Sequence, residues 1–397
     1  MAVFCYRLSG VVKAVTPLHI GLGTRVGVIK RSRPYIPGSV LRGAVGVALI
    51  KAACKLDKPL IEHEKCEFFN ECPYTRLFGE EFGKTSKTFF RYAYPLHYSC
   101  GGLFRPAPKT LHQCSNPQCR KVVDSFAPPS TCECEGSIKP YQGFRCEVCG
   151  QLERFPVGTS RITLTAVDRE KYSAASVGDV RGETAGTLHT LELINPGSRF
   201  HIEVIVDGNF ESEARMLKSL MERALPDEGV GGSKSRGLGK LTVEQLKLET
   251  VSASDLEKCA NAIDAKRFRI RLASPLILDG KTLDPSSLLE AARRAYSWAF
   301  HEGKPSLPRV ELKHWAVASE LFSGWRLKEN KRRGPEAATA AGSVFQFECS
   351  EDSEELALAL AALEYYAVGA YKPHGCGQII VEKALGGVPT SFSFPVW

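Results

Sequence analysis

The first acidic residue of this chain is Asp57. The preceding 56 residues carry nine basic side chains, Arg7, Lys13, Arg25, Lys30, Arg31, Arg33, Arg42, Lys51 and Lys55. The formal net charge of +8 over 397 residues is therefore concentrated at one end. A basic segment of this kind points to a polyanion, and no acylation motif or basic amphipathic anchor accompanies it, which favours nucleic acid over membrane. Also lacking are a signal peptide and any apolar run long enough to span a bilayer, so the chain is expected to be cytoplasmic. In a reducing compartment 14 cysteines do not read as disulfides, which makes metal binding the leading use for clustered ones. The G-x4-G-K-[ST] spacing is missing, which excludes a P-loop.

What is present is a glycine-rich, basic stretch, Glu228 to Lys240 (EGVGGSKSRGLGK), between an amphipathic helical run and an alternating strand. Glycines let backbone N–H groups approach an anion, while Lys234, Arg236 and Lys240 supply charge for phosphate oxygens. The plain alternative is a flexible surface turn. The sequence repeats the pattern: Arg236-Gly237-Leu238-Gly239-Lys240 aligns with His374-Gly375-Cys376-Gly377-Gln378, and Gly197-Ser198-Arg199-Phe200 with Gly342-Ser343-Val344-Phe345, in the same order. Two matched signposts indicate duplication.

Taken in order, Val3 to Ala14 predicts a strand, and Ser39 is expected to N-cap a helix running to about Lys55, whose start is a natural phosphate site beside Arg42. Residues 57–155 read as an insertion. Within it, Cys114-x4-Cys119 and Cys146-x2-Cys149 have the spacing of a four-thiolate zinc ribbon, a closed structural Zn²⁺ site, with Cys132 and Cys134 able to replace one pair and His112 a weaker substitute. The stretch from about 168 to Gly186 is expected to be a mobile loop. Thr187–Ile194 and Arg199–Val206 are expected to pair as a hairpin. Then come a helix ending at Pro226, the glycine loop and a strand from Leu241 to Leu248. The order is βαββαβ, and after a polar linker over 251–266 a compact version repeats it, with Asp284-Pro285 opening its first helix and a basic, mobile stretch at Lys328 to Arg333. The expected architecture is α+β, two ferredoxin-like domains in tandem (1–250 and 267–397), the first carrying the zinc-ribbon-like insertion.

Several stretches resemble the RAMP superfamily of CRISPR-associated proteins: Pro17-Leu18-His19-Ile20-Gly21, Tyr35-Ile36-Pro37-Gly38-Ser39-Val40-Leu41-Arg42-Gly43, Arg76-Leu77-Phe78-Gly79 and both glycine loops. The cysteine-bearing insertion after Ala93-Tyr94-Pro95 and Arg105-Pro106-Ala107-Pro108, with Ser323-Gly324-Trp325 and Ala341-Gly342-Ser343, looks like the two-domain subunit of type III-D effector complexes. The resemblance implies a noncatalytic subunit that grips the 5′ handle of the CRISPR RNA (crRNA). It would join the large signalling subunit to RAMP backbone subunits and meet target RNA only indirectly. Carried onto this chain, the RNA role falls on Gly231, Gly232, Lys234, Ser235, Arg236 and Gly237 in the first loop and on Lys372, His374 and Gly375 in the second. Arg31, Arg33, Ser39 and Arg42 lie at the helix start on the same side of such a fold. The second loop offers only Lys372 and His374 as cations, so packing or protein contact is an alternative task for it. Two rivals stand beside this reading: a crRNA-processing endoribonuclease of the same superfamily, with His19 as the candidate acid–base, and a zinc-containing RNA-binding scaffold outside CRISPR systems.

Overall fold

A computed structural model describes residues 3–26, 28–56, 65–79, 86–165, 189–301, 303–326 and 334–385, with short backbone pieces at 167–168, 173–174, 176–178, 184–186 and 331–332. Apart from these pieces, the stretch expected to be a mobile loop and the basic run 328–333 lie outside the described residues. Among them, no helix is long and apolar enough to cross a membrane.

The fold is mixed α+β, built on antiparallel sheets. In the first part β1 (Val3–Ala14), α1 (Gly38–Ala53), β2 (Thr88–Phe90), β3 (Arg199–Asp207), α2 (Glu211–Glu228) and β4 (Leu241–Ser252) give a sheet ordered β4-β1-β3-β2. After α3 (Ala253–Ala260) come β5 (Arg267–Leu272), α4 (Pro285–Phe300), β6 (Val310–Ala316), β7 (Val344–Cys349), α5 (Glu354–Tyr366) and β8 (Ile379–Lys383). Their sheet order, β8-β5-β7-β6, is the same permutation. Alternation makes the strands: Tyr6, Leu8 and Val12 of β1 and Ile202, Val204 and Val206 of β3 are buried on the helix side. Helical spacing does the rest, as Leu41, Val45 and Leu49 of α1 meet Ala214, Leu217, Met221 and Leu225 of α2 in the same core. Each such leucine contributes about 1.5–3 kcal/mol on leaving water. The two halves share a further core, in which Phe4 packs edge-on against Trp298 at 4.6 Å.

The duplication extends to single hydrogen bonds. Gly239 N–H donates to the Pro17 carbonyl at 3.0 Å, and Gly377 N–H to the Pro275 carbonyl at 2.8 Å. Gly232 N–H donates to His19 O, and Ala370 N–H to Ile277 O. Each glycine loop holds a single 3-10 turn, Lys234–Arg236 or Lys372–His374, bounded by residues with positive φ: Ser233 and Gly237 at 59° and 82°, Tyr371 and Gly375 at 55° and 89°. Glycine is favoured at the second of these positions because an L side chain is strained there.

Several expectations are corrected or refined. The 187–194 and 199–206 segments do not form a hairpin: His189–Ile194 pairs with Thr159–Leu164 and, in parallel, with Ile29–Ser32, while β3 pairs with β1 and β2. The connecting turn is held to both sheets, Asn195 N–H on Gly158 O and Gly197 N–H on Ala14 O, so the chain changes sheets there. The polar stretch 251–266, expected to link the two halves, is ordered chain. It closes β4 and forms α3, opened by a Ser252/Asp255 capping box and anchored by buried Leu256 and Ala260. The cap of α1 is Pro37 rather than Ser39. Gly38, the first helical residue, has room only for hydrogen: a Cβ would stand 2.0 Å from Phe90 O and 2.8 Å from His374 O.

Candidate nucleic-acid interface and metal clusters

The first glycine loop closes on the chain that follows β1. Gly232 N–H and Gly239 N–H hold His19 O and Pro17 O, and Lys240 N–H donates to Thr16 Oγ1. His19, 8% exposed, lies beneath Gly232 and donates from Nδ1 to Glu192 O at 2.9 Å, since a carbonyl can only accept. Ser32 links the next layer: its hydroxyl accepts from Ile20 N–H at 3.0 Å, and its own N–H donates to the Glu192 carboxylate. The loop therefore rests on a layered, hydrogen-bonded base, the small sheet that carries Ile29–Ser32.

Above that base Lys234, Ser235, Arg236, Gly237 and Lys240 are exposed, and among the described residues Lys234 and Arg236 make no ion pair or side-chain hydrogen bond. Arg31, on the adjoining strand, is exposed as well. Arg236 N–H and Gly237 N–H are turned inward, to Ser233 O and Lys234 O. Cations left unpaired over a rigid glycine turn can bind successive phosphates.

The other basic candidates are occupied. Arg33 donates to Gly21 O at 3.4 Å, Leu22 O at 3.2 Å and Tyr35 Oη at 3.1 Å, which pins the start of the Gly21–Val26 strand. Arg42 donates to Phe78 O at 2.7 Å with its guanidinium 4.9 Å from the Phe78 ring centre. Burial holds its pKa below the ordinary arginine value. Ser39 is half-buried in the first turn of α1. The second glycine loop faces inward: a Cβ on Gly375 would meet Phe90 O at 2.6 Å, so the loop docks on β2 and the start of α1. Lys372 lies 3.4 Å from the Tyr366 ring centre, and burial, then the Arg294 charge, push its pKa down to about 7. His374 packs edge-on to Tyr371. Gly231 and Gly232 are half-buried supports of the first loop.

The cysteines of the insertion regroup. Cys114 and Cys119 do not share a cluster with Cys146 and Cys149. Instead Cys114, Cys119, Cys132 and Cys134 converge, and His97, Cys100, Cys146 and Cys149 form a second group, the donor atoms of each within 4.8 Å of one another. Strand pairing decides this. The pairing of Cys114 with Ile138 brings up the 132–134 turn, while that of Cys146 with Phe104 brings up Cys100. Cys114–Cys134 and Cys119–Cys132 sulfurs lie 3.4 and 3.7 Å apart, close to the roughly 3.8 Å edge of a zinc tetrathiolate. Gly136 leaves room for it, since a Cβ there would stand 2.6 Å from Cys114 Sγ. The donor set of the first group fits Zn²⁺. His112 is directed elsewhere, Nδ1 to Thr110 O. His97 and Cys100 were missed from sequence, although His97-x2-Cys100 is itself a ligand-like pair.

The two lobes are bolted to the second half. Along β5 the even positions Phe268, Ile270 and Leu272 enter the core, and Arg269 and Arg271 face the insertion. Arg269 reaches Asp124 at 3.1 Å and Glu382 at 2.8 Å; Arg271 reaches Glu147 at 3.1 Å, Glu382 at 2.8 Å and Pro106 O at 3.2 Å. Burial opposes the charge on Arg271, but Glu382 and Glu147 outweigh it and raise its pKa. This face of the second sheet is covered by the insertion.

Comparison with known proteins gives two family matches: the RAMP superfamily over residues 11–242 and the CRISPR-associated protein family Cas_Cmr3 over residues 177–383. A relative from Methanocaldococcus jannaschii, the CRISPR system Cms endoribonuclease Csm3, is 33% identical over 76 residues, 18% of this chain and 31% of that protein. The chain thus matches about a third of that relative's length. Among solved structures, a type III-B Cmr-beta complex bound to cognate target RNA contains a chain similar over 62% of this one and 61% of its own length, at 14% identity and TM-score 0.33. A Cas6 product complex covers 95% of this chain and 99% of its own, at 11% identity and TM-score 0.39.

Proposed function

This chain belongs to the RAMP superfamily, and on that premise we propose that it is a noncatalytic RNA-binding subunit of a type III CRISPR effector complex, made of two ferredoxin-like units joined through α3. The observation that carries this reading is the inequality of the two glycine loops. The first holds Lys234 and Arg236 exposed above a rigid base, and the second is consumed by contact between the halves. In this reading the first loop, with Arg31 beside it, grips the crRNA 5′ handle. Arg33, Ser39, Arg42, Lys372, His374 and Gly375 build the surfaces around it rather than touching phosphate.

The assignment gives His19 a supporting role, because its ring is buried and its Nδ1 proton is committed to Glu192 O. The partners are the crRNA, the large signalling subunit and RAMP backbone subunits, in the cytoplasm. A Zn²⁺ held by Cys114, Cys119, Cys132 and Cys134 would have no open coordination position, and so would stiffen the insertion rather than activate water. The reading is tested by titrating the purified protein with repeat-derived RNA across a salt series. Lys234→Ala combined with Arg236→Ala should weaken binding and lower the slope of log K against log salt by about one to two.

A further inference from the structure

The second cluster lies where the insertion meets the other half of the molecule. His97 Nδ1 is 3.0 Å from Cys100 Sγ and 3.2 Å from Cys149 Sγ, and Cys100 Sγ is 3.5 Å from Cys146 Sγ. All four donors fall within 4.8 Å of one another, and none of the cysteines is in a disulfide. Two features belong to a built ligand site. The backbone turns inward on sulfur, Gly102 N–H approaching Cys100 Sγ at 3.4 Å. Gly102 also leaves the cradle clear, because a Cβ there would stand 2.6 Å from Cys146 Sγ and 2.8 Å from Val148. Three thiolates and one imidazole at tetrahedral separations suit Zn²⁺ and leave no position for water.

The position of the turn gives the cluster its consequence. Between the ligands Cys146 and Cys149 stands Glu147, whose N–H is held by Leu103 O and whose carboxylate takes Arg271 Nη2 at 3.1 Å and lies 3.5 Å from Arg105. Arg271 is 8% exposed at its side chain and belongs to β5, in the other half of the molecule. A turn of four residues with two short side chains tied to His97 and Cys100 has little freedom left for Glu147.

We propose that His97, Cys100, Cys146 and Cys149 bind a second zinc ion, separate from the tetrathiolate, and that this ion fixes Glu147 against Arg271 and so locks the insertion across both halves of the chain. The proposal does not rest on the RNA reading, and its test does not use RNA.

The native full-length protein should contain two zinc ions per chain, with an averaged X-ray absorption shell of about 3.5 sulfurs and 0.5 nitrogen per zinc. Cys100→Ser and Cys134→Ser should each remove one ion, and the double variant both. Hydrogen exchange should rise at 103–106, 144–149 and 268–272 in Cys100→Ser, and only around 112–138 in Cys134→Ser. A native content of one zinc with an all-sulfur shell, two ions retained by Cys100→Ser, or unchanged exchange across 268–272 would each overturn the proposal. Should a variant fail to fold, thiol alkylation of the native protein decides. Cys100, Cys146 and Cys149 should be shielded together until a chelator is added, and immediate modification of Cys100 and Cys149 would contradict the site.

Discussion

Arg271 on β5 donates from Nη2 to the Glu147 carboxylate at 3.1 Å, joining residues 124 positions apart. The same guanidinium also bonds Glu382 and Pro106 O, so three segments from both halves meet on one buried cation. Removing one member of a buried, hydrogen-bonded charge set leaves the others uncompensated, at a cost of about 3–5 kcal/mol. Arg271→Ala should therefore lower the unfolding free energy by about 3 kcal/mol in denaturant melts. Glu147→Ala should cost about 1 kcal/mol, because Glu382 still faces the arginine. A double-mutant cycle that gives no coupling between positions 147 and 271 would contradict this account of the junction.

The α1 start supplies a steric test. Gly38→Ala would place a methyl 2.0 Å from Phe90 O, and backbone must move to admit it. Gly43, five residues on in the same helix, has nothing within 4 Å of its would-be Cβ. Thermal melts should show Gly38→Ala destabilised by at least about 2 kcal/mol and Gly43→Ala stabilised by roughly 0.5–1 kcal/mol.

Lys372 makes the stability of the second half pH-dependent. Its ordinary pKa of 10.5 is pushed down to about 7 by burial and the Arg294 charge, while the Tyr366 ring face partly compensates its ammonium. The unfolded chain then binds more protons than the folded one between about pH 7 and 10.5, so stability rises with pH across that window. Between pH 7 and 9 the wild type should gain denaturation midpoint relative to Lys372→Met, in which this gain is absent. Parallel pH profiles for the two proteins would remove Lys372 as the source.

These features differ in how far the sequence disclosed them. The duplication was legible because Gly237 and Gly375 must take positive φ and their neighbours repeat the same turn. The Asp284 cap was legible because Asp-Pro before an apolar periodicity has one structural use, and its carboxylate does accept Ser287 N–H. The cysteines announced clusters of ligand-type side chains, but which pairs share a cluster depends on strand register across the insertion, which spacing does not encode. Arg33 and Arg42 read as phosphate ligands because their charge is visible. Their partners, the carbonyls of Gly21, Leu22 and Phe78, leave no trace in side-chain identity. The place of the short β2 in the first sheet was not legible, because its three residues, Thr88–Phe90, carry too little alternation to mark it as the partner of β3, and the longer 189–194 run took that place.

His19 separates a binding subunit from a processing nuclease. The buried ring and its bond to Glu192 O predict that the purified protein leaves repeat RNA uncut, and that His19→Ala loosens the first loop instead. The readout is RNA integrity beside hydrogen exchange at 229–240. Cleavage that His19→Ala abolishes would move the assignment to the endoribonuclease class.

On the proposed reading the first glycine loop, and not the second, holds RNA. The most direct measurement is the salt dependence of repeat-RNA affinity for the wild type, for Lys234→Ala with Arg236→Ala, and for Lys372→Met. A weaker, flatter response is expected only in the first-loop variant, with affinity reduced at least about tenfold at low salt. Equal slopes for the wild type and the first-loop variant, or a loss confined to Lys372→Met, would contradict it.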